Sequence, residues 1–286
     1  MSLKLAAFGP FWRKVCTLLP LLGTPPTIDS PCFLSKPAIA NIVGYSKSDV
    51  RTESAATQVF TLLSVPFSGV TDANIPASSL QFAGVCKGDG PVACDFIQFW
   101  DGNGGFNTYY CYTDDGLWYN ALTDELLTDD YSEGIPAGTP FWYVAEKAGE
   151  RTGNAESTIS GAVCNRGFVS YDLRTESAAV QVFTLLSNPY PVSWMVGEGV
   201  CEITGICKGD GPVACDFLQF WDGNGGFNTY YCYADDGLWY NTDTDELLTD
   251  DYSEGIPAGT PFWYVAEKAG ERTGESKITF YKPAGL

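Results

Sequence analysis

The sequence contains no histidine. That removes Ser-His-Asp and Cys-His catalysis, His-ligated zinc and any histidine-based pH switch. Basic residues are scarce as well: 16 Lys and Arg stand against 35 Asp and Glu, a formal net charge of −19. Nucleic acid needs a basic face, and so does docking on anionic lipid, so neither is an expected partner. Long apolar runs are missing too. No stretch approaches the roughly 18–20 apolar residues of a membrane-spanning helix. Charged residues are only 18% and hydrophobic residues 45%, so the chain is not a charge-saturated disordered one and can bury a core.

What is abundant points to strands. Aromatics reach 14%, with 31 Gly and 17 Pro. Ring-rich segments punctuated by turns read as an all-β protein. At 286 residues the chain holds two ordinary domains of about 150 residues each.

An internal repeat fixes the organisation. Arg51–Ser64 returns as Arg174–Ser187 with one change, Thr57 to Val180. Gly84–Gly153 returns as Gly205–Gly274 with five differences in seventy positions. Between these blocks, 65–83 and 188–204 are unrelated in sequence. The layout is an arm (1–41), a first β domain (42–164) and a second (165–286). Each domain is expected to be sandwich-like or a small barrel, since its strands recur every 8–12 residues or so. Two copies of one unit suit structural, adhesive or ligand-binding work, where linked weak sites gain avidity.

The arm has no counterpart in the second copy. It carries Phe11-Trp12, Val15–Leu22 and Cys32–Leu34, broken by six prolines from Pro10 to Pro37. A secretory signal is one reading, with Lys4, Arg13 and Lys14 as the charged region, but prolines interrupt its apolar core. An apolar arm must pack on something: its own domain, or a neighbouring subunit by strand-into-groove insertion.

Within each repeat, Gln58–Leu63 reads as a central strand, being mostly apolar. Asp95–Trp100 and Phe106–Tyr112 form a hairpin around Asp101–Gly105. Leu117–Tyr119 and Phe141–Ala145 are further strands, and Leu122–Asp130 reads as a loop.

Ten cysteines are an even number, six of them repeated. Cys86 and Cys94, with Cys207 and Cys215, bracket a Gly-Pro loop that can fold back to disulfide distance. Cys16–Cys32 and Cys164–Cys201 are further candidate pairs, although connectivity is not fixed by sequence. Cys111 and Cys232 are then either buried thiols or bonded within or between subunits. Disulfides would place the protein extracellularly or on a cell surface.

Asp101 and Asn103, with Asp222 and Asn224, open a calcium-loop-like Asp-x-Asn-x-Gly pattern, but Tyr112 and Tyr233 stand where the closing Glu belongs. A plain hairpin turn explains the same residues. Trp100, Tyr109 and Trp118, with Trp221, Tyr230 and Trp239, lie near Asp and Asn, the make-up of a sugar-binding surface; the competing reading is core or subunit contact. Carboxylates are many but have no spacing that marks a glycosidase pair. No enzyme is expected.

The series Ile97–Gly102, Thr108-Tyr-Tyr, Leu117-Trp-Tyr and Ile135–Tyr143 resembles a repeat module of secreted bacterial surface proteins. Val43-Gly-Tyr45 and Gly167-Phe168 match the opening of that module, and the likeness covers roughly 42–163 and 165–282. The resemblance implies β-rich extracellular domains in tandem, without established catalytic residues. The expectation is therefore an extracellular structural protein. Its β domains would assemble with other copies into a filament, tube or surface layer, coupled by the arm. The alternative is a tandem carbohydrate-binding or adhesive module, with glycans as partner, and a calcium-stabilised scaffold is a third reading.

Overall fold

The computed structural model describes residues 43–50, 58–146, 155–173, 181–197, 199–267 and 276–286. The expected arm and the candidate pair Cys16–Cys32 lie outside them. In the first repeat the chain forms β1 (Val43–Val50), β2 (Val59–Ser64), β3 (Leu80–Ala83), β4 (Phe96–Trp100), β5 (Phe106–Cys111) and β6 (Trp118–Asn120). Helix α1 (Leu127–Asp130), β7 (Pro140–Ala145) and β8 (Ala155–Ala162) complete it. The second repeat forms β9 (Phe168–Leu173), β10 (Val182–Ser187), β11 (Cys201–Thr204), β12 (Phe217–Trp221), β13 (Phe227–Cys232) and β14 (Trp239–Asn241). Helix α2 (Leu248–Asp251), β15 (Pro261–Ala266) and β16 (Ser276–Tyr281) close it.

The all-β reading holds, but two free-standing sandwiches or barrels do not form. Four small antiparallel sheets do. Each repeat gives a three-stranded sheet, β1-β8-β3 or β9-β16-β11, and a five-stranded one, β2-β7-β4-β5-β6 or β10-β15-β12-β13-β14. A core fills the space between the two sheets of each repeat, with Phe99, Tyr109, Phe141 and Ile159 in the first and Phe220, Tyr230, Phe262 and Phe280 in the second. A third apolar cluster joins the two five-stranded sheets to each other, through Leu62, Trp142, Val144, Leu185, Trp263 and Val265. The repeats are therefore fused across an apolar seam rather than strung in series.

Strand β7 shows why. Successive side chains of a strand point to opposite faces. Phe141, Tyr143 and Ala145 enter the core of their own repeat, while Trp142 and Val144 enter the seam. All six residues of β7 are buried. An unbroken Phe-Trp-Tyr-Val-Ala run is what a strand covered on both faces needs. Pro140 and Pro261 stand at the first position of their strands, where the missing N–H is tolerated.

Two local expectations are corrected. The strand at 59–64 is an edge strand, not a central one: β2 pairs only with β7. Its apolar character comes from the seam and the core, which take Leu62 and Leu63. Residues 127–130 are a helical turn rather than loop. Leu127 is buried there, and Asp130 accepts a hydrogen bond from the Tyr109 hydroxyl at 2.7 Å, so tertiary anchors hold a turn that is too short to stand alone.

The unrelated segments 65–83 and 188–204 reach one solution by different side chains. Ile75 bridges Ile135, and Trp194 bridges the equivalent Ile256. Among the described residues no helix is long and apolar enough to cross a membrane.

Candidate functional site

The loop between Cys86 and Cys94 folds back as its Gly-Pro sequence suggests, but no disulfide closes it. The Cys86 thiol donates to the Ala93 carbonyl at 3.5 Å, and the Cys94 thiol to the Gly90 carbonyl at 3.3 Å. Cys207 and Cys215 do the same with Ala214 (3.3 Å) and Gly211 (3.4 Å). The closure comes from Asp95. Its N–H donates to the Cys86 carbonyl at 2.9 Å, and its carboxylate accepts the Cys86 N–H at 2.9 Å. The same carboxylate takes the Glu146 N–H at 2.6 Å and the Tyr143 hydroxyl. Asp216 repeats this set with Cys207, Glu267 and Tyr264. Both aspartates are fully buried. A buried carboxylate holding three donors replaces the expected covalent staple.

Cys164 and Cys201 are not joined either. Cys201 lies in β11 opposite Phe280, whereas Cys164 lies beside Asp72 and Arg166. Cys111 and Cys232 are buried thiols, donating to Gly116 and Gly237, both at 3.5 Å. Burial pushes the thiols of Cys94 and Cys215 up to about 12, and those of Cys111 and Cys232 up to about 11.

The candidate calcium residues sit on a hairpin tip. The Asp101 carboxylate accepts the N–H groups of Asn103 (2.6 Å) and Gly105 (3.0 Å). Asp222 does so with Asn224 (2.6 Å) and Gly226 (2.9 Å). The acid folds onto its own backbone, as in an Asx turn. Among the described residues no group of three or more Cys, Asp or Glu is placed to hold a metal ion.

The candidate sugar-binding rings are buried or packed against neighbouring rings. Tyr109 and Tyr230 are core residues whose hydroxyls bind Asp130 and Asp251 at 2.7 and 2.5 Å. Trp239 is buried and Trp118 packs on Phe82, ring centroids 5.3 Å apart. Trp100 and Trp221 pack into the seam against Trp263 and Trp142, at 4.9 and 5.0 Å. No exposed platform joins these six.

Two other features line the surface. Tyr110, Tyr112 and Tyr119 form a ring triad with centroids 5.7–6.5 Å apart, repeated by Tyr231, Tyr233 and Tyr240. Tyr119 and Tyr240 donate to Asp115 and Asp236 at 2.7 and 2.8 Å. That hydrogen bond holds both phenols above their ordinary range. The second feature is a groove of about 320 Å³ in the first repeat, lined by Leu80, Gln81, Phe82, Leu117, Trp118 and Leu127 among others. Residues 80, 81 and 82 alternate faces yet all line it, so the groove runs along the open edge of β3. Its opposite wall is β6 and α1, flanked by the exposed acids Asp115, Glu125 and Asp129.

Sequence reading missed the seam and the role of Asp95. The all-apolar Phe141–Ala145 run was the available signal for the seam. A lone carboxylate at the head of an apolar strand was the signal for Asp95. No family model, curated protein or solved structure matches the chain.

Proposed function

We propose that the protein is a structural one whose copies assemble by insertion of residues 1–41 into the β3 groove of a neighbouring copy. The groove at an open sheet edge carries this reading. An open edge offers unpaired backbone groups to an incoming strand, and apolar walls select its side chains. The charges agree. Residues 1–41 hold four Lys and Arg and one Asp, a net +3, so residues 42–286 hold 12 Lys and Arg against 34 acids, a net −22. A basic, apolar segment suits an apolar groove flanked by acids. A head-to-tail contact whose rotation does not close gives a filament. A surface location rests on the resemblance of the repeat alone.

The test is the native mass of the full chain beside a chain lacking residues 1–41. Large particles from the first and monomers from the second support the reading. Monomers from both sink it. Retained assembly without the segment moves the contact elsewhere.

A second reading, a binding module, draws on the twin tyrosine triads. The half-buried rings of Tyr112 and Tyr119, with Tyr233 and Tyr240, stand beside carboxylates at matching places in both repeats and suit a cationic or polyhydroxylated ligand. Tyr119→Ala together with Tyr240→Ala would then abolish retention on a glycan array while leaving the native mass unchanged.

A further inference from the structure

Each repeat brings the same side chains to the seam: Leu62, Trp142 and Val144 from the first, and their copies Leu185, Trp263 and Val265 from the second. The contacts across it are reciprocal. Trp100 meets Trp263, and Trp142 meets Trp221, the copy of Trp100. Ser64 donates to the Gly259 carbonyl, and its copy Ser187 donates to that of Gly138. With a further copy of the second repeat in place of the first, each of these contacts keeps the same residue types. A face that meets its own copy in this way is complementary to itself.

One seam contact is not shared. Tyr171 of β9 lays its ring over Gly138 and donates to the Ala137 carbonyl at 3.0 Å. Ser48 pairs with Ser157, and Tyr171 with Ile278, so the repeat offset makes Ser48 the counterpart of Tyr171. Serine has no ring to lay over Gly259, and Ser48 and Gly259 line a cavity of about 170 Å³. The receiving loop Ile135–Tyr143 is identical to Ile256–Tyr264. The native pair of repeats therefore has one tyrosine contact of this kind, a pair of second repeats has two, and a pair of first repeats has none.

We infer that the seam face of the second repeat is a self-recognition surface whose partner is the same face on a second copy of the chain. In the intact chain the face is occupied from within, because a short tether holds the repeats at an effective concentration of about millimolar. Re-pairing two chains as one first–first and one second–second pair keeps the same two Tyr171 contacts, so it brings no compensating gain. Pairing between chains through the seam begins when the first face is removed or spoiled.

The test is native mass after the full chain is cut, once folded, at a protease site inserted between Val163 and Cys164. That position leaves the second repeat its own contacts, since Cys164 lies in the second core and the Arg166 carbonyl accepts the Tyr190 hydroxyl at 2.8 Å. Residues 164–286 carry neither residues 1–41 nor β3, so a pair of these pieces does not depend on the β3 groove. The first face is spoiled by Trp142→Asp or, at the end of β4, by the milder Trp100→Asp. The expected product is a pair of 164–286 pieces, whether or not the spoiled repeat stays folded, since that repeat is only the competitor. Adding Tyr171→Ser weakens the pair about a hundredfold, tenfold for each of its two contacts. Adding Trp221→Asp abolishes it. Monomeric or aggregated 164–286 from both spoiled chains overturns the inference. So does a pair that survives Trp221→Asp, or one whose dissociation constant Tyr171→Ser leaves unchanged.

Discussion

The indole of Trp100 meets that of Trp263 edge to face, centroids 4.9 Å apart and planes at 87°. Trp142 and Trp221 repeat the contact at 5.0 Å and the same angle. Since Trp221 is the copy of Trp100 and Trp263 the copy of Trp142, the two repeats meet by a pseudo-twofold, self-complementary face. The hydroxyls agree: Ser64 donates to the Gly259 carbonyl and Ser187 to the equivalent Gly138 carbonyl, both at 3.0 Å. Such reciprocity is the mark of an isologous contact, here built within one chain. It gives a physical reason for near-identity of the repeats along β7 and β15, because a change on one side meets its own copy across the seam.

Trp142→Ala or Trp263→Ala should cost about 3–5 kcal/mol, the range for deleting a buried large aromatic. A double-mutant cycle on Trp100 and Trp263 should show coupling of about 0.5–1.5 kcal/mol in urea unfolding. Additive losses would mean that the edge-to-face geometry contributes nothing beyond burial.

Asp95→Ala leaves the N–H groups of Cys86 and Glu146 and the Tyr143 hydroxyl without their acceptor. The expected loss is at least about 2 kcal/mol, and Asp216→Ala should match it. Asp95→Asn keeps one acceptor oxygen and should lose less. Equal urea midpoints for Asp95→Ala and the parent chain would contradict the buried-hub role.

Thiol chemistry should follow burial. Iodoacetamide at pH 8 should label Cys86 and Cys207, which are partly exposed, before Cys94, Cys111, Cys215 and Cys232, which are buried. Thiols raised to about 12 or 11 hold almost no thiolate at that pH. Peptide mapping by mass spectrometry reads the order. Labelling of Cys94 as fast as Cys86 would refute it.

Stability should fall at both ends of the pH scale. Asp115 and Asp236 lie below the ordinary 3.8, first because the Leu117 and Leu238 N–H groups bind the carboxylates. A lowered acid stabilises above its unfolded value and loses that contribution as pH falls through the folded one, so this loss belongs below about pH 4. The buried thiols act in the opposite direction. The unfolded chain ionises them near 9.0 while the folded chain keeps them neutral, so stability drops as pH rises past that value. Urea midpoints across the pH scale should plateau between these limits. A midpoint still rising at pH 10 would reverse the sign assigned to the thiols.

Much of the fold was legible in the chain itself. The duplication, the Asp95–Trp100 and Phe106–Tyr112 hairpin, and the strand at 141–145 follow from the repeat and from ring-rich runs between turn residues. These are local properties, set by side-chain periodicity and by Gly and Pro. The candidate site was much less legible. Which face of Trp100 or Trp142 is covered depends on a surface far away in sequence, and no period reports it.

Sequence alone determined the all-β class, the two copies, the acidic body with its basic apolar N-terminal segment, and the absence of histidine chemistry. Only tertiary structure decided that Cys86 and Cys94, like Cys207 and Cys215, form no disulfide while Asp95 and Asp216 close their loops. It also decided that the six candidate binding rings are buried or packed against neighbours. Each of these depends on what stands opposite in space. Strand pairing and sheet packing set that partner, since a strand offers both its faces and only its neighbours choose between them.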